Sequence, residues 1–314
     1  MSFAATVKDD LLKISNSNLD ADRLELEAML RFGSEVIISR PMKLQFSCNN
    51  MGVIRHLIKL CKKFYEIEYE IFSRVINRLD NHTIFTCEIA NGASNIINDL
   101  NLIGADSKYK EKIDNDEAYM IAYIRGAFLV HGTVNDPISK SSHLEISSVS
   151  ENEILFIQRL MNAFELNARI AKRKNYLIAY IKSKEAIGDF LYRIGATSSM
   201  SYYENVLITK EIKTNAKRAI NLDLANQDKT NDAAQEQLRY IRYLEYNYPL
   251  ERLDSKILMV MKVRKDNPES SLSELLDVIH DEFDPELSKS GLNHRLRKVK
   301  ELARELAEKK NETI

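Results

Sequence analysis

The chain is poor in residues that break or lock a backbone. Nine glycines and five prolines in 314 residues leave little room for irregular loops and favour helices and strands with short connections. Cysteine is scarce too: Cys48, Cys61 and Cys87 are odd in number, and no Cys-x-x-Cys pair occurs. That argues against a disulfide framework or a zinc knuckle and for buried thiols in a reducing compartment. The first ten residues mix acids with too short an apolar run to form a signal peptide. The most apolar stretch, residues 118–130, contains Arg125 and is too short to span a bilayer. Net charge is almost absent, at -1 from 45 basic and 46 acidic residues, so any basic surface must be local. What remains is 44% hydrophobic and 29% charged, the balance of a globular chain with one large domain or two to three ordinary ones.

Helical and alternating periodicities then divide the chain. Phe3, Val7, Leu11 and Ile14 recur at helical spacing behind Ser2, a candidate cap. A helix is expected from about Asp20 to Phe32, a hairpin over 36–39 and 43–47 around Pro41, and a helix over 50–64. Tyr65, Ile67, Tyr69 and Ile71 alternate with glutamates, predicting a half-exposed strand. A strand over 83–89 and a helix over 93–102 follow. The order recurs: helix 116–130, ending near His131-Gly132, strand 143–149, helix 151–164, strands 168–172 and 176–181 around a Lys174-Asn175 turn, helix 185–194. Each half reads helix, strand, strand, helix, strand, strand, helix. Ile103-Gly104-Ala105 and Ile194-Gly195-Ala196 close the two halves, and glycine there is expected to take the left-handed cap. A tandem pseudo-dimer follows, paired through its first helices.

The segment 124–132, Ile-Arg-Gly-Ala-Phe-Leu-Val-His-Gly, resembles the motif of LAGLIDADG homing endonucleases, and Gly33 and Gly132 each stand between a helix and a strand. Small Gly126 and Ala127 would let two helices approach closely. In that family a carboxylate at the end of each seam helix holds divalent metal beside the scissile phosphate. Alignment on the glycines puts Phe32 and His131 at those positions, and neither is a hard oxygen ligand. Glu35, Asp136 and Glu145 lie nearby but beyond the expected place. The expectation is a retained fold with catalysis lost, and with no metal and no cofactor. No P-loop, G-x-G-x-x-G, H-E-x-x-H or G-x-S-x-G occurs, and Ser141-Ser142 and Ser147-Ser148 have no base placed with them.

Beyond Ala196 the composition changes. Residues 198–203 read as a polar connection and 214–246 as a long, amide-rich helix. Such a helix either contacts nucleic acid or the first domain, or is a solvated connector. Residues 253–264 form the next expected helix, stopped before Pro268. Ser271-Leu272-Ser273-Glu274 opens another with a capping box, and Asp284-Pro285-Glu286-Leu287 turns the chain. A third begins near Ser288 or Ser290 and runs towards Ala307, giving a helix-turn-helix. On it Leu292, Leu296, Val299 and Ala303 share a stripe that should face a core. From Ser288 to Lys300 there are five basic residues, Lys289, Arg295, Arg297, Lys298 and Lys300, and no acid. Arg297 and Asn293 suit base edges; Arg295, Lys298 and Lys300 suit flanking phosphates. Ser273, Ser288, Ser290 and His294 complete the candidate DNA-binding set.

Four segments together resemble the WhiA family, which joins a degenerate LAGLIDADG domain to a C-terminal helix-turn-helix. They are the opening Met1-Ser2-Phe3 with Val7-Lys8, the run Arg125 to Leu129 with Gly132, the helix motif around Ala225-Asn226, Lys229-Thr230 and Gln235, and Ser288-Lys289-Ser290-Gly291 with Asn293 to Leu296. The resemblance implies an α+β chain: a LAGLIDADG-like domain over 1–199, with repeats at about 15–105 and 114–196, a connecting segment over 200–250, and an all-α helix-turn-helix domain over 251–314. It also implies a non-enzymatic transcription regulator linked to cell division and chromosome segregation, acting on double-stranded DNA in the cytoplasm at the nucleoid, and not at a membrane. The alternative from the residues is a metal-dependent nuclease using other carboxylates. A third possibility is that the LAGLIDADG-like part binds a regulatory protein, RNA or a small ligand and controls the other part.

Overall fold

A computed structural model describes residues 2–16, 18–76 and 82–314; Met1 of the opening motif lies outside them. The chain divides into Met1–Lys210 and Glu211–Ile314. The first unit opens with α1 (Phe3–Leu11), where the Ser2 side chain accepts from the Ala5 N–H. The first repeat follows as α2 (Leu19–Gly33), β1 (Ser34–Ile37), β2 (Lys43–Cys48), α3 (Met51–Phe64), β3 (Tyr69–Ile76), β4 (His82–Ile89) and α4 (Ala93–Asp99). After a short α5 (Lys110–Asp114), the second repeat runs α6 (Glu117–His131), β5 (Gly132–Val134), β6 (Leu144–Ser148), α7 (Glu151–Ala163), β7 (Arg169–Arg173), β8 (Tyr176–Ile181) and α8 (Lys184–Arg193). The sheets are antiparallel, with the same order in both halves: β1-β2-β4-β3 and β5-β6-β8-β7. The expected tandem repeat is present, its second half completed by β5, for which the sequence reading gave no range.

The seam is the packing of α2 on α6. A Cβ at Gly126 would stand 2.4 Å from the Glu25 carbonyl oxygen and 2.9 Å from the Ala28 Cβ, so only glycine allows this approach. Leu26, Ala28, Met29, Tyr123, Ala127 and Phe128 are buried along it. Two polar networks are buried with them. Arg125 Nη1 donates to Asn16 Oδ1 at 2.8 Å and to Glu25 at 3.2 Å, while His56 meets Glu25 at 2.7 Å. Arg31 pairs with Glu27 at 2.9 Å and Glu153 at 3.2 Å, and Tyr123 donates to Glu153 at 2.8 Å. Burial pushes the Glu25 carboxyl up, but His56, Arg125 and Asn16 outweigh it and hold it low.

Three expectations are corrected. The two Ile-Gly-Ala tripeptides are not equivalent: Gly195 takes the left-handed conformation at φ +90°, but in the first half Asn101 does, at φ +49°. Leu102 N–H donates to the Ile97 carbonyl as Ala196 N–H donates to Leu191, at 3.0 and 2.9 Å. Asn101 therefore matches Gly195, and Gly104 lies further along the chain. Second, the alternation from Tyr65 marks a face rather than a strand, because Tyr65 is still the C-cap of α3 and ladder pairing with β4 begins at Tyr69. Third, residues 198–203 are no connection. They are the first turns of α9 (Thr197–Asn247).

Those turns belong to the first unit's core. Tyr203 is buried, and Phe3 lies against Tyr202 and Tyr203 with ring centroids 5.7 and 6.1 Å apart. Asp10 Oδ2 accepts from the Ser199 N–H at 2.8 Å and its hydroxyl at 2.7 Å, so a carboxylate from α1 caps the N-terminus of α9. Burial alone would raise the Asp10 carboxyl, yet the bonds from Ser199 and Lys13 leave it lowered.

In the second unit, the remainder of α9 is followed by a 3₁₀ turn (Leu250–Arg252), α10 (Ser255–Asp266), α11 (Leu272–Glu282) and α12 (Lys289–Lys310). Residues 211–229 of α9 are exposed throughout. Further along, Tyr240, Ile241 and Leu244 pack with Ile257, Met261, Val299 and Ala303. Among the described residues no helix is long and apolar enough to cross a membrane.

Two outcomes are expected. A fragment ending at Lys210 unfolds cooperatively in urea. One ending at Ser199 is weaker by at least the roughly 1.5–3 kcal/mol of a large buried side chain, since it lacks Tyr203. Asp10→Asn in the full chain should cost about 1.5–3 kcal/mol near neutral pH. Because the folded carboxyl titrates below its unfolded value, that stability is present above the ordinary carboxylate range and fades as pH falls through it. The wild-type and variant denaturation curves should therefore converge in acid; a gap independent of pH would exclude the capping role.

Candidate nucleic-acid interface

The C-terminal unit builds its exposed face from local rules. Ser271 caps α11 with a full capping box, accepting from Glu274 N–H while Glu274 accepts from Ser271 N–H. The chain then turns through Asp284–Leu287. The His280 ring sits 2.7 Å from the Leu287 carbonyl, where Nε2–H donates. Ser288 caps α12 by accepting from Gly291 N–H at 3.1 Å, which decides between the two possible starts. Leu292, Leu296 and Val299 are buried, as their stripe requires, with Leu275, Ile279 and Leu287 beneath the first two.

The ten candidate DNA-binding residues separate into two groups. Ser273, Ser288, Lys289, Ser290, Asn293, His294, Arg297 and Lys298 are exposed. Lys289 Nζ donates to Ser273 Oγ at 2.6 Å, which joins the starts of α11 and α12 in one patch. Arg295 and Lys300 are instead engaged within the unit. Arg295 faces Asp284 at 3.5 Å. Lys300 pairs with Glu236 of α9 at 2.7 Å and lies over the Tyr240 ring at 5.5 Å from its centroid. Their helical phase explains this: both flank the buried stripe. Missed by the sequence reading is a cleft of about 410 Å³ between α9 and α12, lined by Gln237, Tyr240, Asn293, Arg297, Lys300 and Arg304 among others. Its α12 wall carries Arg297, Lys300, Glu301 and Arg304 and its α9 wall Glu236, Gln237 and Tyr240, so the charges there are mixed; only the stripe Tyr240, Ile241, Leu244 hinted at that packing.

The other site is the end of the seam in the first unit. There α2 closes with Gly33 and its C-cap Ser34, α6 with His131 and its C-cap Gly132. Cap geometry thus matches Gly33 with His131 and Phe32 with Val130. That moves the alignment on the glycines by one residue, because Gly33 is still helical and Gly132 is not. None of the four carries a carboxylate. A cleft of about 620 Å³ opens beside them, lined by Lys8, Phe32, Glu35, Val130, His131 and Ser148 among others. Lys8 Nζ donates to the Val130 carbonyl at 3.3 Å. Burial brings the Lys8 ammonium down to about 8, against a small upward pull from Cys48. Lost hydration at the helix end, then the Lys8 charge, lowers His131 despite its surface position. Glu145 is drawn away, paired with His143 at 2.6 Å and Arg173 at 2.9 Å, and Asp136 accepts from Ile138 N–H in its own loop. Among the described residues no group of three or more His, Cys, Asp or Glu could hold a metal ion.

Leu296→Ala should destabilise the C-terminal unit by roughly 2–5 kcal/mol, whereas Asn293→Ala, on the exposed face, should stay within about 0.5 kcal/mol. Thermal melts of the two variants check the orientation of α12; equal losses would mean that its buried and exposed stripes are misassigned.

Comparison with known proteins agrees in every segment. Residues 20–103 match the model of the WhiA N-terminal LAGLIDADG-like domain, 120–213 that of the WhiA LAGLIDADG-like domain, and 216–303 that of the WhiA C-terminal HTH domain. A probable cell division protein WhiA of Listeria welshimeri is 34% identical over 311 residues, covering 98% of this chain and 95% of its own. The protein of the same name from Enterococcus faecalis is 34% identical over 313 residues, covering 98% and 99%. The crystal structure of full-length WhiA from Thermotoga maritima shares the fold with a TM-score of 0.61 at 22% identity, over 97% of this chain and 99% of that one.

Proposed function

The chain belongs to the WhiA family, and from that premise we propose that it is a sequence-specific regulator that binds double-stranded DNA through α12 and does not cut it. The observation that carries this reading is the exposed face of α12. Ser290, Asn293, His294, Arg297 and Lys298 stand clear of the core on the helix that follows the turn, in a span from Ser288 to Lys300 without an acid. A helix presented in this way fits the major groove. Arg297 suits the O6 and N7 acceptors of guanine, and Asn293 the N6 and N7 pair of adenine. Lys289 and Lys298 lie towards the flanking phosphates, with the free N–H groups of the α12 N-terminus favouring the same anions. Lys300 and Arg295 hold the helix against Glu236 and Asp284, so their part is to position it.

The relatives' printed name, probable cell division protein, supports a role in cell division; a link to chromosome segregation and action at the nucleoid in the cytoplasm are part of the same proposal. The LAGLIDADG-like unit serves this regulator as a binding rather than a cutting domain. The absence of a carboxylate from Phe32, Gly33, Val130 and His131 supports that assignment, since a two-metal mechanism needs hard oxygen ligands on both strands' sides.

Against a site selected from random duplexes, Arg297→Ala should lose about 1–3 kcal/mol of binding and relax specificity at one base pair. Lys298→Ala should weaken specific and random duplexes alike and flatten the dependence of log K on log salt by about 0.9. Lys300→Ala should instead lower the melting temperature. Titrations of each variant at several salt concentrations read these differences; wild-type affinity and slope for Arg297→Ala and Lys298→Ala would leave α12 a solvated surface. Supercoiled plasmid incubated with the protein and magnesium or manganese should stay intact, and nicking abolished by Glu35→Gln would reverse the non-catalytic reading.

A further inference from the structure

We propose that the cleft at the ends of α2 and α6 binds the phosphate group of a small organic molecule, held by the Lys8 ammonium. The proposal is independent of the DNA-binding reading, because every residue it uses lies in the first unit.

Lys8 is 8% exposed, and its hydrogen bond to Val130 is a long one at 3.3 Å. Among the described residues no carboxylate stands within ion-pairing distance of it. An ammonium has three protons to donate, and a buried charge without a counter-charge is costly. The C-terminal dipole of α6 offsets part of that cost; an oxyanion in the cleft would supply the rest. Further donors face the same space. Ser148 Oγ accepts from Ser150 N–H at 3.1 Å and Ser150 Oγ from Glu153 N–H at 3.4 Å, which leaves both hydroxyl protons to give. Arg31 also lines the cleft but is consumed by Glu27 and Glu153. Glu35 is the carboxylate on its wall, and it is exposed.

The shape and chemistry narrow the ligand. A volume of about 620 Å³ is that of a small-molecule pocket rather than a single-ion niche. Phe32, Ile84, Val130 and Val149 supply apolar wall for an organic body. The donors come from two separate elements, α1 and the β6–α7 corner. A tetrahedral phosphate can meet donors so spread, where a planar carboxylate would leave some unmet. The cation also comes from outside both repeats: α1 precedes residue 20, where the match to the LAGLIDADG-like models starts.

The test uses the full chain and inorganic phosphate. Melting temperature is followed against phosphate concentration, with chloride at matched ionic strength as reference. Wild type should show a saturable rise specific to phosphate. Lys8→Met should lose most of it, and Arg297→Ala should keep it, which separates this site from the DNA-binding face. Should Lys8→Met fail to fold, His131→Glu serves instead: the position is at the surface, and a carboxylate there should pair with Lys8 and abolish the rise. No phosphate-specific rise in wild type, or an undiminished one in these cleft variants, overturns the proposal. Binding of a random duplex should be the same for wild type and His131→Glu. A loss there would make the DNA strand the occupant and overturn the small-molecule assignment.

Discussion

The contact of Gly126 with the Glu25 carbonyl and Ala28 is the constraint on which the first unit rests. It sets the approach of α2 and α6, and the approach determines what can lie between and beside them. At this spacing the side chains of Arg31 and Arg125 cannot leave the interface without exposing buried carboxylates, so each turns back along its own half. Arg31 donates to the carbonyls of Leu100, Asn101, Gly104 and Asp106, and Arg125 to that of Ile194. Each seam helix thereby ties down the end of its own repeat's last helix. A wider seam would admit water to Glu25, Glu27 and Glu153, and both ties would loosen together.

Much of this was legible in the residues. The element order of both halves, the Ser2, Ser271 and Ser288 caps and the buried stripe Leu292, Leu296, Val299 and Ala303 follow from periodicity and side-chain capping, which are local. What escaped was set by tertiary contact. The start of α9 reads as polar connection because Ser198, Ser199 and Ser201 are weak helix formers; the helix forms there because Asp10, far away in sequence, caps it. The charge of Lys300 is visible in the sequence, but its pairing with Glu236 of another helix is not. The Ile-Gly-Ala repeat misled because glycine is the usual left-handed residue, and in the first half an asparagine takes that conformation.

The two units solve opposite electrostatic problems. In the first, arginines and carboxylates are buried and neutralise one another, while Lys8 at the mouth of the seam is buried with a carbonyl and, among the described residues, no carboxylate for a partner. In the second, Arg295 and Lys300 of α12 are paired, while Lys289, Arg297 and Lys298 of the same helix are exposed. The near-zero net charge of the chain conceals this division, since the local basic face is offset by an excess of acidic residues elsewhere.

Cap geometry makes Ala28 the counterpart of Gly126, and that asymmetry has a consequence for partner choice. Two copies of the first repeat would bring Ala28 against Ala28 and could not reach the separation that Gly126 permits. The duplication has thus become a lock and key within one chain: the first repeat carries a methyl group, the second the space that receives it. Gly126→Ala would set a methyl group against the Glu25 carbonyl and Ala28 and push the repeats apart, whereas Gly at 28 would relax the distinction. With both halves in one polypeptide, the seam needs to serve only the pairing of unlike helices.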